Sequence, residues 1–485
     1  MALHGGCVGS DETLMTKLLG EKVARYGQLL EIVSDPHMSS PIAFHIIREC
    51  VVGSLAFYMR ITPPECAMPC LQQFDEMVEQ AIAKSHSLPQ LEYTQTMLLP
   101  LIGIPRAAVT ATPAYFACVA ACLPILPLLE PGGVTERHLR STHDVLVSEF
   151  PAGALSPRIP ANFDAMIRKF TDADPSKRET AKLQRFITQK IKSVFMSKLE
   201  SEDFPQEIVT IAQCTRTKHA NILFHVPPMH PSFSLSTDDW NQMLRARLAL
   251  PPHDHLPAIC PHKTCSLPLN DTSRRHHQHS CIALKPDTTT RHNLILDAFL
   301  NLAHTCGYVS RKEPRHEQQR RHRLGTHKLR PDAVIISGNP RVAPIMLDVA
   351  VTHPCAPTVS RLRSPEKRPL AAAHAMAQTK HKKYDSLAAS LDHTFSALVM
   401  ETYGGMNEDF HTLIDQLVET AHNNQHMSQQ QAINLKVYAY CSLAAALHRG
   451  NGLLSRRMFQ IHSVERMQLN SMRAHRRLDF STHAA

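Results

Sequence analysis

The sequence predicts a multidomain α+β protein. A helical N-terminal region precedes a cysteine–histidine cluster, a small α/β core and a helical C-terminal tail. Three observations carry this expectation. Residues 1–150 place apolar side chains at three- and four-residue spacing, the period of a helix buried on one face. Cysteines and histidines crowd residues 260–281 in two close pairs. The β-branched runs 333–336 and 345–351 flank Gly338-Asn339-Pro340, a turn signal. With 485 residues, 43% hydrophobic and 20% charged, the chain has material for several buried cores, and wholesale disorder is excluded.

Residues 13–34 and 42–59 read as amphipathic helices, the second ended by Pro63-Pro64, and 74–84 reads as another. Proline breaks recur at Pro100, Pro105 and Pro113. The apolar stretch 114–129 is interrupted by Pro124 and Pro127 and closed by Gly132-Gly133. It is shorter than the roughly 20 residues a spanning helix needs, so it reads as a buried helix and no membrane association is expected. A Pro/Ser/Ala-rich segment at 150–160 marks a boundary, 161–250 is charged and mostly helical, and 251–261 is a Pro/His-rich linker. Residues 294–306 form a helix with Gly307 as its stop signal. Residues 369–391 are Ala-rich and helical, and the end of the chain is helical with basic pairs at Arg456-Arg457 and Arg476-Arg477. The expected divisions are 1–150, 151–255, 256–285, 286–420 and 421–485.

Lys+Arg 52 against Asp+Glu 43 gives a net charge of +9, a mild excess that suits a nucleic-acid partner. Of 31 histidines, eleven lie in residues 253–327, which points to metal or polyanion binding there. The 13 cysteines are an odd number, and no N-terminal segment combines a charged start, an apolar core and a cleavage site. A reducing interior with free or metal-bound thiols is expected.

Cys260-x4-Cys265 and His277-x3-Cys281 supply the four sulfur and nitrogen ligands of a tetrahedral zinc site. His276 and His279 are alternatives to His277. Cys66-x3-Cys70 and Cys118-x3-Cys122 have no nearby histidine and read as core thiols.

Arg330-Pro331-Asp332 precedes the first β-run, and Asp348 lies inside the second among Ile345, Met346, Leu347, Val349, Ala350 and Val351. A hairpin centred on Pro340 pairs residues whose numbers add to 680, and Asp332 and Asp348 satisfy that condition. Opposed residues share a face with Cβ atoms about 4.5–5.5 Å apart, and two carboxylates so placed can share Mg²⁺ or Mn²⁺. An aspartate buried in an apolar run needs such compensation.

In the Ala-rich helix the inward stripe is Leu370, Ala373, Ala377, Lys380, Tyr384, Leu387 and Leu391. Lys380 therefore falls on the buried side, where a carboxylate pair or a phosphate would partner it; Lys382 points outward. Arg311, Lys312, Arg315, Arg320, Arg321, Arg323, Lys328 and Arg330 crowd the segment before the hairpin, and beside a metal–carboxylate site they are expected to hold phosphates. Glu313-Pro314 offers a third carboxylate. Asp238-Asp239 lacks the flanking hydrophobics of a polymerase strand, and Ser236 to Asp239 fits a helix capping box better. There is no Gly-rich phosphate loop and no Gly-x-Ser-x-Gly.

In order, these residues resemble the C-terminal part of LINE-type retrotransposon polyproteins that carry a restriction-enzyme-like endonuclease. The set comprises the Cys-Cys-His-Cys knuckle, Arg291-His292-Asn293, Glu313-Pro314, Arg330-Pro331-Asp332, Leu347-Asp348-Val349-Ala350-Val351, Lys380-x-x-Lys383-Tyr384 and Glu401-Thr402-x-Gly404. Ile47-Arg48-Glu49-Cys50 and Arg60-Ile61-Thr62-Pro63-Pro64 resemble the helical segment after the family's reverse transcriptase. The resemblance implies a zinc knuckle followed by a restriction-endonuclease-like core that nicks DNA to prime reverse transcription in the nucleus. It implies Asp332 and Asp348 as ligands of a catalytic Mg²⁺ or Mn²⁺. Lys380 would orient the attacking water or stabilise charge on the phosphorane. Arg311, Lys312, Arg320, Arg321, Arg323, Lys328 and Arg330 would grip DNA, with element RNA as a further partner. Two departures stand. No reverse transcriptase palm is present, so the chain resembles a separated C-terminal fragment, with a reverse transcriptase in trans as a further expected partner. Ala350 also fills the lysine position of the usual Asp-x-Lys motif, which makes Lys380 its replacement. The rival expectations are a non-catalytic zinc-dependent nucleic-acid-binding protein and an inactive retroelement relic.

Overall fold

The computed structural model divides the chain into two units, Met1–Phe204 and Pro205–Ala485. It describes residues 2–3, 6–7, 11–125, 134–172, 182–201, 204–254, 259–260, 262, 265, 267–268, 276–313, 329–356 and 368–482. For 2–3, 6–7, 134, 201 and 461–482 it describes the backbone alone.

The first unit is helical apart from the two-residue strands β1 (Ala2–Leu3) and β2 (Gly6–Cys7). Asp11 starts the helix Glu12–Val33 by accepting the Leu14 N–H at 2.9 Å. Its buried stripe Met15, Leu19, Val23, Leu30 packs along the helix Pro64–Ser85. Pro63-Pro64 does more than end the preceding helix: Pro64 occupies the first turn of the next one, where its missing N–H costs nothing. The expected helix 74–84 is thus the second half of a longer one. Ser40–Ile61 has the length and apolarity of a membrane span, yet it is broken into α, π and 3₁₀ pieces and carries Arg48, Glu49 and Arg60.

The proline at 113 is not a break. The helix Ala107–Cys122 runs through it because Ala111, Ala114, Tyr115 and Phe116 are buried around it, and burial outweighs one lost intrahelical bond. Asp75, on a different helix, accepts the Ala107 and Ala108 N–H groups at 2.6 and 3.1 Å, which satisfies that helix's first turn. Phe150, Leu155 and Ile159, from the expected boundary at 150–160, lie in one core with Phe116, Leu146 and Ile187.

The second unit is built on a mixed four-stranded sheet of order β3 (Tyr308–Lys312), β4 (Ala333–Ser337), β5 (Ile345–Thr352), β6 (Thr394–Glu401). The first three are antiparallel neighbours, and β6 is parallel to β5. A parallel neighbour demands a crossover, and the Ala-rich helix Ala371–Ser390 supplies it. Strands β3 and β6 are additions to the two strands expected from the sequence. The turn at Gly338-Asn339-Pro340 joins β4 to β5 with Ala333 opposite Leu347, Val334 opposite Met346 and Ile335 opposite Ile345, so paired numbers add to 680. The crossover helix lays Tyr384 and Ala388 on Val334 and Met346, and Ala373 and Ala377 on Ala397 and Val399. The free edge of β6 is covered by side chains: Asn407 bonds Val399 N–H and Ala397 C=O, and Asp409 accepts the Ala397 N–H.

The helix Lys285–Thr305 is longer than the expected 294–306 and closes at Gly307, whose φ of +85° is the left-handed conformation. It packs on the long helix Gln429–Thr482. A Cβ on Gly450 would lie 2.3 Å from Arg291 Cγ, so only glycine lets the buried Arg291 stem cross there. The helix Thr237–Arg247 opens with Ser236 accepting the Asp239 N–H at 3.1 Å, the capping read from the sequence.

His381 pins the crossover helix to the first turn of the helix Glu408–Asn424, with Nδ1 2.8 Å from Asp385 and Nε2 2.8 Å from Asp409. Burial alone would lower its pKa, but the bonds to Asp385 and Asp409 outweigh it and hold the imidazolium above the ordinary 6.5. A pKa raised on folding stabilises fully below the unfolded value and is lost as pH rises through the folded one. The melting temperature of the native chain is therefore expected to fall more steeply from about pH 6 to about pH 8 than that of His381→Gln. Parallel profiles would remove His381 as the cause.

Candidate active site and metal cluster

Asp348 is 3% exposed in the middle of β5, between Met346 and Ala350 on the face the crossover helix covers. Lys380, half-buried on that helix between Ala377 and Tyr384, forms an ion pair with Asp348 Oδ2. Asp332 lies one residue before β4, just outside the ladder that ends with Ala333 opposite Leu347, and close enough to Asp348 for the two charges to repel. Its own N–H donates to Leu347 C=O at 2.9 Å, and its Oδ2 accepts the Val349 N–H at 2.6 Å. The Asp332 carboxylate thus takes the place of a backbone carbonyl beside Asp348. Its other oxygen, Oδ1, lies 3.3 Å from His292 Nε2, on the helix Lys285–Thr305.

The electrostatics follow from this crowding. Burial first, and the neighbouring Asp332 second, raise the Asp348 pKa, while the Lys380 ammonium opposes both. Tyr384 is 1% exposed, and its hydroxyl donates to Arg330 C=O at 3.0 Å. Burial, and then the Asp348 charge, push that phenol upward. Lys383 Nζ donates to the same hydroxyl at 2.9 Å and lies 4.6 Å from the ring centroid. Lys382 is exposed.

A second cluster precedes the sheet. Cys260 N–H donates to Leu267 C=O at 2.8 Å and Cys265 N–H to His262 C=O at 2.9 Å, a turn that brings the first two thiols together. A 3₁₀ turn at His277–His279 lets Cys281 N–H reach His277 C=O at 2.9 Å. Cys260, Cys265, His277 and Cys281 then gather one ligand atom each within 4.8 Å of one another. Cys260 and Cys281 sulfurs are 3.8 Å apart, and Cys265 Sγ is 3.5 Å from His277 Nε2. This set could hold a metal ion, and it is the one such group among the described residues. Burial pushes the Cys260 thiol up to about 12 and raises that of Cys281. Leu284, Leu454 and Met458 pack around the cluster.

The two alternative histidines are occupied elsewhere. The His276 and His279 rings lie 4.8 and 5.0 Å from that of His353, and His279 Nδ1 meets Arg291 Nη1 at 3.2 Å. Burial lowers the pKa of His279 and of His353 well below the usual value. Cys66 is buried and Cys70, Cys118 and Cys122 are half-buried, away from any such cluster.

Of the basic residues expected to grip nucleic acid, Arg311 and Lys312 lie on β3 and Arg330 just before β4. Lys312 pairs with Asp297, and Arg330 pairs with Glu313, the carboxylate read as a third ligand. These are exposed pairs, weak enough to exchange for phosphates. Arg315, Arg320, Arg321, Arg323 and Lys328 lie outside the described residues. Sequence reasoning assigns no separate part to His292 or to the Tyr384 hydroxyl. Both sit in the quoted motifs, but their contacts come from elements far apart in the chain.

No protein-family model matches the chain, and no curated protein matches its sequence.

Removing the ammonium tests the balance at Asp348. Lys380→Met strands a buried carboxylate, at a cost of about 1–3 kcal/mol near neutral pH. Protonation of Asp348 relieves the loss, so urea midpoints of the variant and the native chain should converge as pH falls toward the raised Asp348 pKa. A deficit that does not change with pH would indicate lost packing alone.

Proposed function

We propose that this protein is a metal-dependent endonuclease of the retrotransposon type, cutting a DNA phosphodiester by water attack, with a zinc knuckle beside its catalytic core. The carrying observation is the closeness of two carboxylates at the head of β4, Asp332 bonded to the Val349 N–H and Asp348 beside it, with Lys380 on the second. The donors fit a hard divalent cation: two neighbouring carboxylates, one of them with a raised pKa that a cation would reverse. Bound Mg²⁺ or Mn²⁺ would activate water and neutralise charge on the scissile phosphate. Asp332 and Asp348 would hold it, Val349 N–H and His292 fix the Asp332 carboxylate, and Lys380 lies where it could orient the water or meet the charge of the phosphorane. Arg311, Lys312 and Arg330 line the approach to β4 and would meet the DNA backbone.

The cluster fits zinc on its own distances. Around a tetrahedral ion with Zn–S near 2.3 Å and Zn–N near 2.0–2.1 Å, two sulfurs stand about 3.8 Å apart and sulfur and nitrogen about 3.6 Å. The observed separations are 3.8 and 3.5 Å. Such an ion would be structural, since four protein ligands leave no open position. A nuclear location, a reverse transcriptase in trans and element RNA as a second ligand belong to the same reading.

One observation favours a non-catalytic nucleic-acid-binding protein instead: Lys380 already neutralises Asp348, so the site is balanced without an ion. Nicking of supercoiled plasmid separates the two. With Mg²⁺ or Mn²⁺ the native chain is expected to nick. Asp348→Ala and Asp332→Asn should lose at least about 100-fold in rate, the equivalent of roughly 3 kcal/mol. Equal nicking by native chain and Asp348→Ala would sink the assignment. No nicking by a folded, zinc-loaded chain would establish the non-catalytic reading. Elemental analysis should find one zinc ion per chain, lost in Cys265→Ser, and a chelator should lower the melting temperature. Zinc retained by Cys265→Ser would refute the ligand set.

A further inference from the structure

We propose a second polyanion site, on the first unit, that holds the phosphate backbone of a nucleic acid independently of the carboxylates of the second unit. A cavity of about 780 Å³ lies between the helices Ala56–Ile61, Ala107–Cys122 and Leu183–Ser201. Arg60, Lys182, Arg185 and Lys192 line it, and among the described residues no acidic side chain does. Gln184, Thr188 and Gln189 add neutral hydrogen-bonding groups, and Arg60 Nη2 donates to Gln184 Oε1 at 3.4 Å.

Elsewhere in this unit Arg48, Arg106, Arg137 and Arg140 each meet an Asp or Glu. The four cations of the cavity form no ion pair with a described carboxylate. Residues 182–198 contain Lys182, Arg185, Lys190, Lys192 and Lys198 and no Asp or Glu. The helix spends its apolar face, Leu183, Ile187, Met196 and Leu199, on the core, and along the cavity its exposed charges are Arg185 and Lys192. Like charges gathered without counter-charges repel one another, and a bound polyanion removes that repulsion.

The dimensions favour a polymer over a small anion. Arg185 to Lys192 rises about 10 Å along the helix axis, about three base steps of a duplex. Pockets for small organic ligands are mostly apolar with few polar groups, unlike a wall of four cations. Sequence-independent, salt-sensitive binding follows from phosphate contacts alone.

The test uses the full chain and a fluorescein-labelled 20-bp duplex, with affinity measured across a salt series. Arg60→Gln, Arg185→Gln and Lys192→Gln combined are expected to weaken binding and flatten the slope of log K against log [salt] by about three, one per cation. All three side chains are exposed, so the fold is kept. The charge-keeping set Arg60→Lys, Arg185→Lys, Lys192→Arg should hold the native slope, as should Asp348→Ala. Ultraviolet crosslinking should place the duplex on peptides that contain residues 183–192 in the native chain and not in the glutamine variant. An unchanged slope and no crosslink there would overturn the site. Displacement of the duplex from these peptides by poly-glutamate at equal charge would overturn the nucleic-acid assignment in favour of an acidic peptide. Loss of nicking in Asp348→Ala with this slope intact would show the two sites to be separate.

Discussion

The pairing of β4 with β5 is the constraint on which the second unit depends. A strand's side chains alternate faces, so a slip by one residue would turn Asp348 away from the crossover helix together with Met346 and Ala350. It would also carry Leu347 and Val349 into that seam. The apolar pattern of β5 opposes such a slip only weakly, because residues on both of its faces are buried. Three other features make the register specific: the turn at Gly338-Asn339-Pro340, the bond from Val349 N–H to the Asp332 carboxylate, and the ion pair of Asp348 with Lys380. A buried charge with a single good partner is a poor source of net stability and an effective penalty on every other register.

The cysteine–histidine cluster and the carboxylate pair are linked through one helix. His279, two residues after His277 of that cluster, meets Arg291, whose guanidinium also donates to Asn451 at 2.9 Å. Burial lowers that guanidinium to about 10, yet it has nowhere to deprotonate to, since both contacts accept its hydrogens. The next residue, His292, reaches Asp332. Gly450 makes the crossing possible by leaving room for the Arg291 stem. The turn His277–Cys281 and the setting of Asp332 are therefore connected through the helix Lys285–Thr305, although the two lie far apart in the chain.

Much of this is legible in the sequence because it is local. The hairpin register follows from a turn signal and two β-branched runs, and the inward stripe of the crossover helix follows from helical spacing. The four ligands follow from two close Cys/His pairs. The features that escape sequence reading depend on partners distant in the chain. Strand β3 reads as a polar, basic segment, Tyr-Val-Ser-Arg-Lys, because it is an edge whose outward residues face water. Strand β6 needs a parallel neighbour before its run is recognisable as a strand. Pro113 suggests a break until the burial on every side of its helix is known, and Pro63-Pro64 suggests an end when it is also a beginning. The choice of His277 over His276 and His279 could not be made from spacing. It is made by His353, which stacks near both alternatives.

Two buried carboxylates in the same sheet are compensated in different ways. Glu401, at the end of β6, is fully buried and forms no ion pair among the described residues: its Oε1 accepts Ala373 N–H at 3.2 Å and its Oε2 the Cys214 thiol at 3.1 Å. Burial raises its pKa, and those bonds only partly offset the rise. It is placed to anchor the start of the crossover helix, and no charge could approach it without dismantling that anchor. Asp348 is nearly as buried, but its compensation reaches solvent: a lysine side chain that is 21% exposed, beside a second carboxylate that is 22% exposed. A cation that displaced Lys380 from Asp348 would leave the ammonium within reach of a bound phosphate and would relieve the repulsion between the two aspartates. The same helix is thus held at its first turn by a buried, hydrogen-bonded glutamate and presents, two turns later, the ammonium that pairs with Asp348.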